Sequence, residues 1–303
     1  MIVAIDRWWY LSAPATRLAS LRILVGGFAL AYLTLRWPNL ISYGDFDDDQ
    51  FAPVGVVSLL GEPVSAGLLR LLVVAAIISG MAFVAGWRYR VSGPFFAMLL
   101  LWVITYRNSF GQVFHTENLM VMHVIILALA PAADAWSLDS RHKGSTPAGG
   151  WYGWPVQLMC LTTVLTYFVT GETKLRNAGL DWVTSDSLRN YVAYDNLRKA
   201  EFGDIHSPLA SLVLSHAWLF RPLALFTLAV ELGAPLALLG NRVARVWIAA
   251  AWAFHAGVLA MMAIVFPYPL LGIAFAPFFP LERFRLPVWR PTQRRSQGSR
   301  SQT

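Results

Sequence analysis

Charge is scarce in this chain. Only 14% of its 303 residues are Asp, Glu, Lys or Arg, and 56% are hydrophobic, whereas an ordinary soluble domain is about a quarter charged. A water-facing globular domain is excluded, and a chain threaded several times through a bilayer is expected. Cysteine is scarcer still. Cys160 stands alone in an apolar run, so neither a disulfide framework nor a cysteine metal site can be built, and it reads as packing. There is no HExxH, GxSxG, P-loop or GxGxxG, which removes support for metalloprotease, α/β-hydrolase and nucleotide chemistry. No internal repeat is evident, so an inverted-repeat carrier has no basis. The acidic cluster Asp45, Asp47, Asp48 and Asp49 lacks the spacing, Gly and terminal Glu of a calcium loop, and no metal site is expected. The opening MIVAIDRWWYLSAP lacks the basic head and apolar core of a cleavable signal, so the first span is expected to direct insertion itself.

What remains is apolar and aromatic, with 13 Trp among the residues, rings that collect at membrane–water interfaces. At roughly 20 apolar residues per crossing, eight candidate spans are predicted: 18–37, 68–87, 91–110, 117–132, 153–174, 222–240, 243–265 and 267–281. The fourth and eighth are short enough to dip rather than cross. An all-α polytopic bundle of about eight helices follows. If both termini are cytoplasmic, the inner segments hold Arg7 and Arg17, Arg88 and Arg90, Arg141 and Lys143, Arg242 and Arg245, and the C-terminal arginines, while the first outer loop is acidic. That distribution obeys the positive-inside rule and predicts a multi-pass plasma membrane protein. The net charge of +7 is concentrated beyond the last apolar run, at Arg283, Arg285, Arg290, Arg294, Arg295 and Arg300. A basic, disordered cytoplasmic tail near lipid headgroups, 282–303, is expected there, and no nucleic-acid partner. Outside the membrane, 182–221 carries two amphipathic segments. The first puts Trp182, Leu188, Tyr191, Val192 and Leu197 on one side, and the two together predict a lid over the outer end of the fifth span.

Ionisable residues within spans are costly and mark candidate sites. Those inside are His123, Glu231 and His255; at the outer ends stand His115, Glu117, Glu172 and Lys174. Glu231 and His255 lie at mid-depth of consecutive antiparallel spans, which predicts a hydrogen bond between them. Either they only satisfy one another, or they handle a proton or ligand. Two readings are open for Lys174 as well. It is an interface anchor paired with Glu172 or Asp181, or an amine beside an apolar pocket that acts as a base, with His115 or Glu117 orienting it.

The run YFVTGETKLRNAGLDWVTSDSLRNYV, 167–192, resembles the segment of vitamin K-dependent gamma-carboxylases that holds their catalytic-base lysine. The turn around His115, the AWSLD run at 135–139, AVELGAP around Glu231 and AFHAGVLAMM around His255 extend the likeness, as do Arg17, Arg22, Gly26 and Arg36 of the first span. Residues 1–281 are thus similar to the HTTM membrane domain that those carboxylases share with many short bacterial proteins. The resemblance implies a bundle whose reaction centre faces outward, Lys174 as base, His115 as its assisting histidine, and His255 with Glu231 as a pocket or structural pair; Glu117, Glu172 and Trp182, near the same outer ends, are expected as further binding or structural pocket residues. It further implies a reduced naphthoquinone as cofactor, drawn from the bilayer, and an oxygen-linked oxidation or carboxylation. The carboxylases continue into a large domain that helps bind a peptide substrate. Here an arginine-rich tail follows Leu281, so protein carboxylation is expected only with a second chain. The alternative expectation is a non-catalytic membrane subunit that binds a partner protein through its outer lid.

Overall fold

The computed structural model describes residues 2–142 and 146–283; Lys143 and the basic tail from 284 onward lie outside the described residues. Thirteen α-helices order the described chain: α1 (Ile2–Trp9), α2 (Ala15–Leu35), α3 (Trp37–Ser42), α4 (Ala66–Ala85), α5 (Tyr89–Arg107), α6 (Asn118–Leu129), α7 (Gly150–Ala178), α8 (Asp181–Thr184), α9 (Ser187–Glu201), α10 (Pro208–Leu214), α11 (Phe220–Leu232), α12 (Asn241–Met262) and α13 (Pro267–Leu270). Among the described residues no strand forms; two isolated bridges join Ala13 to Gly149 and Phe51 to Phe110. The fold is all-α.

Four helices, α2, α4, α5 and α12, are long and apolar enough to cross a bilayer, and the bent pair of α10 with 217–232 makes a fifth if counted as one span. The rest of the expected spans depart from that form for identifiable reasons. α6 has only 12 residues, about 18 Å at 1.5 Å per residue. α7 is the longest helix at 29 residues, but Trp, Tyr and Thr dilute its apolarity. The segment predicted as a span at 267–281 is not one helix. Pro267, Pro269 and Pro277 interrupt it, leaving α13 and a 3₁₀ turn over Ile273–Phe278, because proline lacks the N–H a helix needs. Its backbone is covered by protein: Ile273, Ala274, Phe275, Ala276 and Pro277 are all inside, and the Thr163 hydroxyl donates to the Ala274 carbonyl at 3.2 Å. Irregular backbone is tolerated in a membrane only where protein covers it.

Two apolar clusters share α7. The larger joins α2, α4, α5, α6 and the first half of α7, with Leu18, Leu21, Val25, Phe83, Phe96 and Met120 fully inside. Gly26 lets α2 and α4 touch, since a Cβ there would lie 2.7 Å from the Phe83 ring. The smaller gathers Val164 and Tyr167 of α7 with Trp247 and Ala251 of α12, Ala234 and Phe275. α4 opens on the Ser65 hydroxyl, which accepts from Leu68 N–H, and closes at Gly86 in the left-handed region (φ 62°). A fully buried arginine, Arg22, fixes that end of the bundle: its guanidinium donates to the carbonyls of Ala132 (2.7 Å), Ala135 (3.4 Å) and Trp136. Asp139 then accepts from the N–H groups of Arg88 and Tyr89 at 2.9 and 2.8 Å, capping α5. The AWSLD run is therefore a structural clasp, at the end of the bundle remote from Lys174. Arg17 and Glu282 close the same end with two hydrogen bonds of 3.0 and 2.6 Å.

The lid differs from its expected polarity. Trp182 sits in α8 and is buried, and Val192 of α9 is 1% exposed, but Tyr191 and Leu197 point outward at 60% and 61%. The predicted apolar side is split, because α9 turns its polar residues inward. α12 ends at Met262, leaving its last carbonyls without intrahelical donors. Ser207 Oγ donates to Ala260 O at 2.5 Å, Asn196 Nδ2 to Met261 O at 2.9 Å and Lys199 Nζ to Met262 O at 2.6 Å. Polar lid residues thus cap the end of α12.

Candidate functional site

The Lys174 end of α7 lies opposite its start, which is tied to the residues before α2 through the Ala13–Gly149 bridge. Along α7, Tyr167, Thr170, Gly171 and Lys174 fall at offsets of three, four and seven, on one face. Gly171 is what brings α11 against that face: a Cβ at 171 would lie 2.8 Å from Glu231 Cβ and 3.1 Å from a Leu232 methyl. The close approach lets Glu231 reach Lys174. Nζ donates to both carboxylate oxygens, at 2.6 and 2.7 Å, with Glu231 2% and Lys174 19% exposed. The ammonium lies 4.8 Å from the Trp182 ring centre and 5.7 Å from that of Phe254, both favourable faces for a cation.

This arrangement corrects two expectations. Glu231 pairs with Lys174 and not with His255, whose Nε2 instead bonds the Tyr167 hydroxyl at 2.7 Å. Lys174 does not pair with Glu172 or Asp181. Glu172 lies half-exposed and bonds Arg176 one turn on, at 3.4 Å, outside the site. The physical reason is reach: equal depth on neighbouring helices does not set which face each residue shows, and Gly171 decides that contact.

Lys174, Glu231, His255, His115 and Trp182 line one cavity of about 490 Å³, walled mainly by Leu, Val, Met, Phe and Tyr side chains from α7, α9, α11, α12 and the 266–269 turn. His115 and His255 flank the Phe266 ring, with ring centres 5.6 and 5.0 Å from it. No hydrogen bond joins His115 to Lys174. Glu117 stands behind the wall: it takes Arg107 Nη2 at 3.0 Å and the Thr116 hydroxyl at 2.5 Å. Asn108 Nδ2 donates to Phe114 O at 2.8 Å and its Oδ1 accepts from Phe114 N–H at 3.2 Å. Glu117 and Asn108 therefore pin the turn that carries His115.

Sequence reasoning missed Tyr167, Tyr268 and Phe254. Tyr268 lines the cavity and bonds Nδ1 of the fully buried His123 at 2.7 Å. Tyr167 was legible, since it lies two turns before Lys174 on the same helix face. His123 does not reach the cavity itself; its Nε2 meets Met159 O and Thr163 Oγ1, both at 3.2 Å. His255 Nδ1 is buried with no hydrogen-bond partner.

No cluster of three metal-binding side chains occurs among the described residues. The polar groups form acid–base and hydroxyl–imidazole pairs in an apolar chamber, suited to binding a greasy molecule and exchanging a proton with it. With α2, α4, α5 and α12 apolar and long enough to cross a bilayer, the chain is a multi-pass membrane protein. The HTTM domain model matches residues 10–282. The chain belongs to the HTTM domain family. Comparisons with curated proteins and with solved structures gave no match.

Proposed function

We propose that the cavity takes a lipid-like ligand with a weakly acidic hydroxyl, of the reduced naphthoquinone class, and that Lys174 with Glu231 removes the hydroxyl proton. The observation that carries this reading is the Lys174–Glu231 pair, held at 2.6 and 2.7 Å on the wall of an otherwise apolar chamber. The residues fit such a group. A volume of about 490 Å³ is within the range of roughly 300–1,000 Å³ for small-molecule sites, and His255 Nδ1 lacks a partner that a ligand oxygen would provide. A reduced naphthoquinone supplies the acidic hydroxyl and the electrons that oxygen takes up. Shifting a proton from Nζ to the Glu231 carboxylate leaves an amine and an acid, with no change in the net charge of the pair. The amine then accepts the ligand's proton, and the resulting ammonium stands opposite the negative charge that develops on the oxygen. Tyr167 holds the His255 ring in place, and the apolar walls exclude water.

The same reading places the Lys174 end on the outer side of a plasma membrane and the Arg17 end in the cytoplasm, following the basic inner loops. The eighth crossing is then the irregular segment from Phe266, packed on His115 and His255, to Glu282, bonded to Arg17. The test uses the chain in lipid nanodiscs under air, supplied with a short-chain naphthohydroquinone, with oxygen consumption and quinol absorbance followed together. The wild type turns over, and Lys174→Ala slows turnover at least about 100-fold, the low end for loss of a general base. If the variant oxidises quinol as fast as the wild type, the base reading is lost. If neither protein turns over or binds the quinol, the cavity serves another purpose and a subunit role gains.

A further inference from the structure

The lid departs from the polarity of a helix lying on a bundle in water. Val192 and Ala210 pack inward, but α9 also buries Asn196 and Lys199 at 7% and 9% exposure while Tyr191, Tyr194 and Leu197 stand 60%, 69% and 61% exposed. The outward apolar side continues through α10 and the turn after it, where Leu212 and Trp218 are 67% and 71% exposed. An aqueous surface gives no reason to spend aromatic and leucine side chains outward on consecutive elements while lysine is turned inward. A lipid–water interface does, since Tyr, Trp and Leu partition to that depth.

Geometry adds a second, independent observation. α10 meets the helical run 217–232 at 98°. The two therefore do not form one straight crossing, and where 217–232 runs along the bilayer normal, α10 lies in the membrane plane. The exposed lid residues are also continuous with the outward apolar side of α11, where Leu225 is 57% and Phe226 37% exposed. Tyr191 and Phe226 both line the cavity and both reach the outside, so they mark its mouth.

We propose that α9 and α10 lie within the lipid–water interface, with Tyr191, Tyr194, Leu197, Leu212 and Trp218 in contact with lipid, and that the cavity opens sideways into the bilayer between Tyr191 and Phe226. The occupant is the lipid itself, not a protein partner. The lid is latched at this depth by Ser207, Asn196 and Lys199 on the carbonyl end of α12. Its position does not depend on what the cavity binds, so this inference stands or falls separately from the quinol reading.

The test is site-directed spin labelling of the full chain in nanodiscs. Cys160 is replaced by Ser, and single cysteines are introduced as Tyr194→Cys, Leu212→Cys or Trp218→Cys. Leu71→Cys, on the exposed side of α4, serves as a lipid reference and Asp47→Cys, in the acidic loop, as a water reference. Collision rates with oxygen, which concentrates in lipid, are compared with those of a water-soluble nickel chelate. All three lid positions are expected to fall between the references, with oxygen collisions several-fold above those at Asp47 and nickel collisions several-fold below. Nickel-dominated collisions equal to those at Asp47 would place the lid in water and overturn the proposal. Low rates for both reagents would mean that a protein or a second copy covers the face, which also overturns it. Three separately labelled sites guard against one substitution that fails to fold, and brominated-lipid quenching of a fluorophore at the same cysteines gives a second depth reading.

Discussion

Replacing Lys174 by arginine separates stability from proton transfer at one position. At 2.6–2.7 Å and an effective dielectric near 20, the attraction between Lys174 and Glu231 is about 6 kcal/mol before desolvation is counted. Desolvation cancels much of this in the intact pair, but removing one member leaves a buried charge uncompensated, at about 3–5 kcal/mol. Lys174 keeps 19% exposure, which favours the low end, so Lys174→Ala should lose about 3 kcal/mol. That corresponds to a fall in Tm of roughly 6–12 °C at 2–4 °C per kcal/mol. Arginine matches a carboxylate with a planar fork and keeps the ion pair, and the cavity beside it has room for the larger head. Lys174→Arg should therefore stay within about 1 kcal/mol of the wild type. A guanidinium does not release its proton in proteins, so the same variant should lose naphthohydroquinone oxidation by at least about 100-fold. Tryptophan-monitored thermal unfolding in nanodiscs and oxygen consumption read the two effects. An arginine variant that still turns over quinol refutes Lys174 as the base; one that melts as early as Lys174→Ala refutes the ion pair as the source of stability.

Gly171→Ala should force α7 and α11 apart, since its Cβ would meet Glu231 Cβ at 2.8 Å; a loss of about 1–3 kcal/mol is expected from overpacking, with quinol turnover falling alongside, and unchanged melting would show that the helices yield freely. Asn196→Ala removes one cap from the end of α12 and the acceptor for Ser207 N–H at 2.8 Å. Hydrogen exchange should quicken at 196–214 by a factor of about 10, for a loss near 1–2 kcal/mol, while α4 and α5 keep their protection. At the other end, partial burial pushes the Glu282 carboxyl up, but the Arg17 hydrogen bonds and the charges of Arg17 and Arg283 outweigh it and hold it below the usual carboxylate range. A depressed folded-state value adds stability above the unfolded value, and that stability is lost as pH falls through the folded one. The melting difference between wild type and Glu282→Gln should thus be present at pH 7, begin to shrink as pH falls below the ordinary glutamate value of about 4.3, and be lost only once pH has passed below the lowered folded value; a difference that persists in stronger acid would assign the effect to shape instead of charge.

Much of the bundle is legible because a span announces itself by length and apolarity alone, as α2, α4, α5 and α12 do. The segment 267–281 is not legible in this way. It has the composition of a span, but Pro267, Pro269 and Pro277 deny it a helix, and burial against α7 and α12 covers its backbone. Composition reports what a segment can dissolve in, not which neighbours complete its hydrogen bonds. The site shows the same division. Lys174, Glu231, His255 and His115 stand out as ionisable groups in apolar runs, and they do share a cavity. Their partnerships are set by rotation about helix axes, which a chain without regular amphipathic stripes does not encode plainly. Gly171 is the exception: in TGETK a glycine one turn before the lysine marks a place where a neighbour comes close. The lid misled in a consistent direction, because its polar residues bind helix-end carbonyls that no sequence pattern advertises.

The pairing of the cavity's polar groups bears on which molecule the proposed site would choose. Lys174 is held by Glu231, Tyr167 by His255 and Tyr268 by His123, and the partner in each pair is at most 7% exposed. A fully partnered polar group in an apolar bundle costs little, whereas an unpartnered one is expensive. A ligand hydroxyl that merely displaced Glu231 from Lys174 would strand a buried carboxylate and bind weakly. A hydroxyl acidic enough to hand its proton to the pair avoids that cost, because the ammonium then faces a new anion while the carboxylate keeps a proton of its own. The arrangement thereby favours an aryl hydroxyl over an aliphatic alcohol of equal size and greasiness, and it does so through the chemistry of the pair, since the apolar walls alone would accept both.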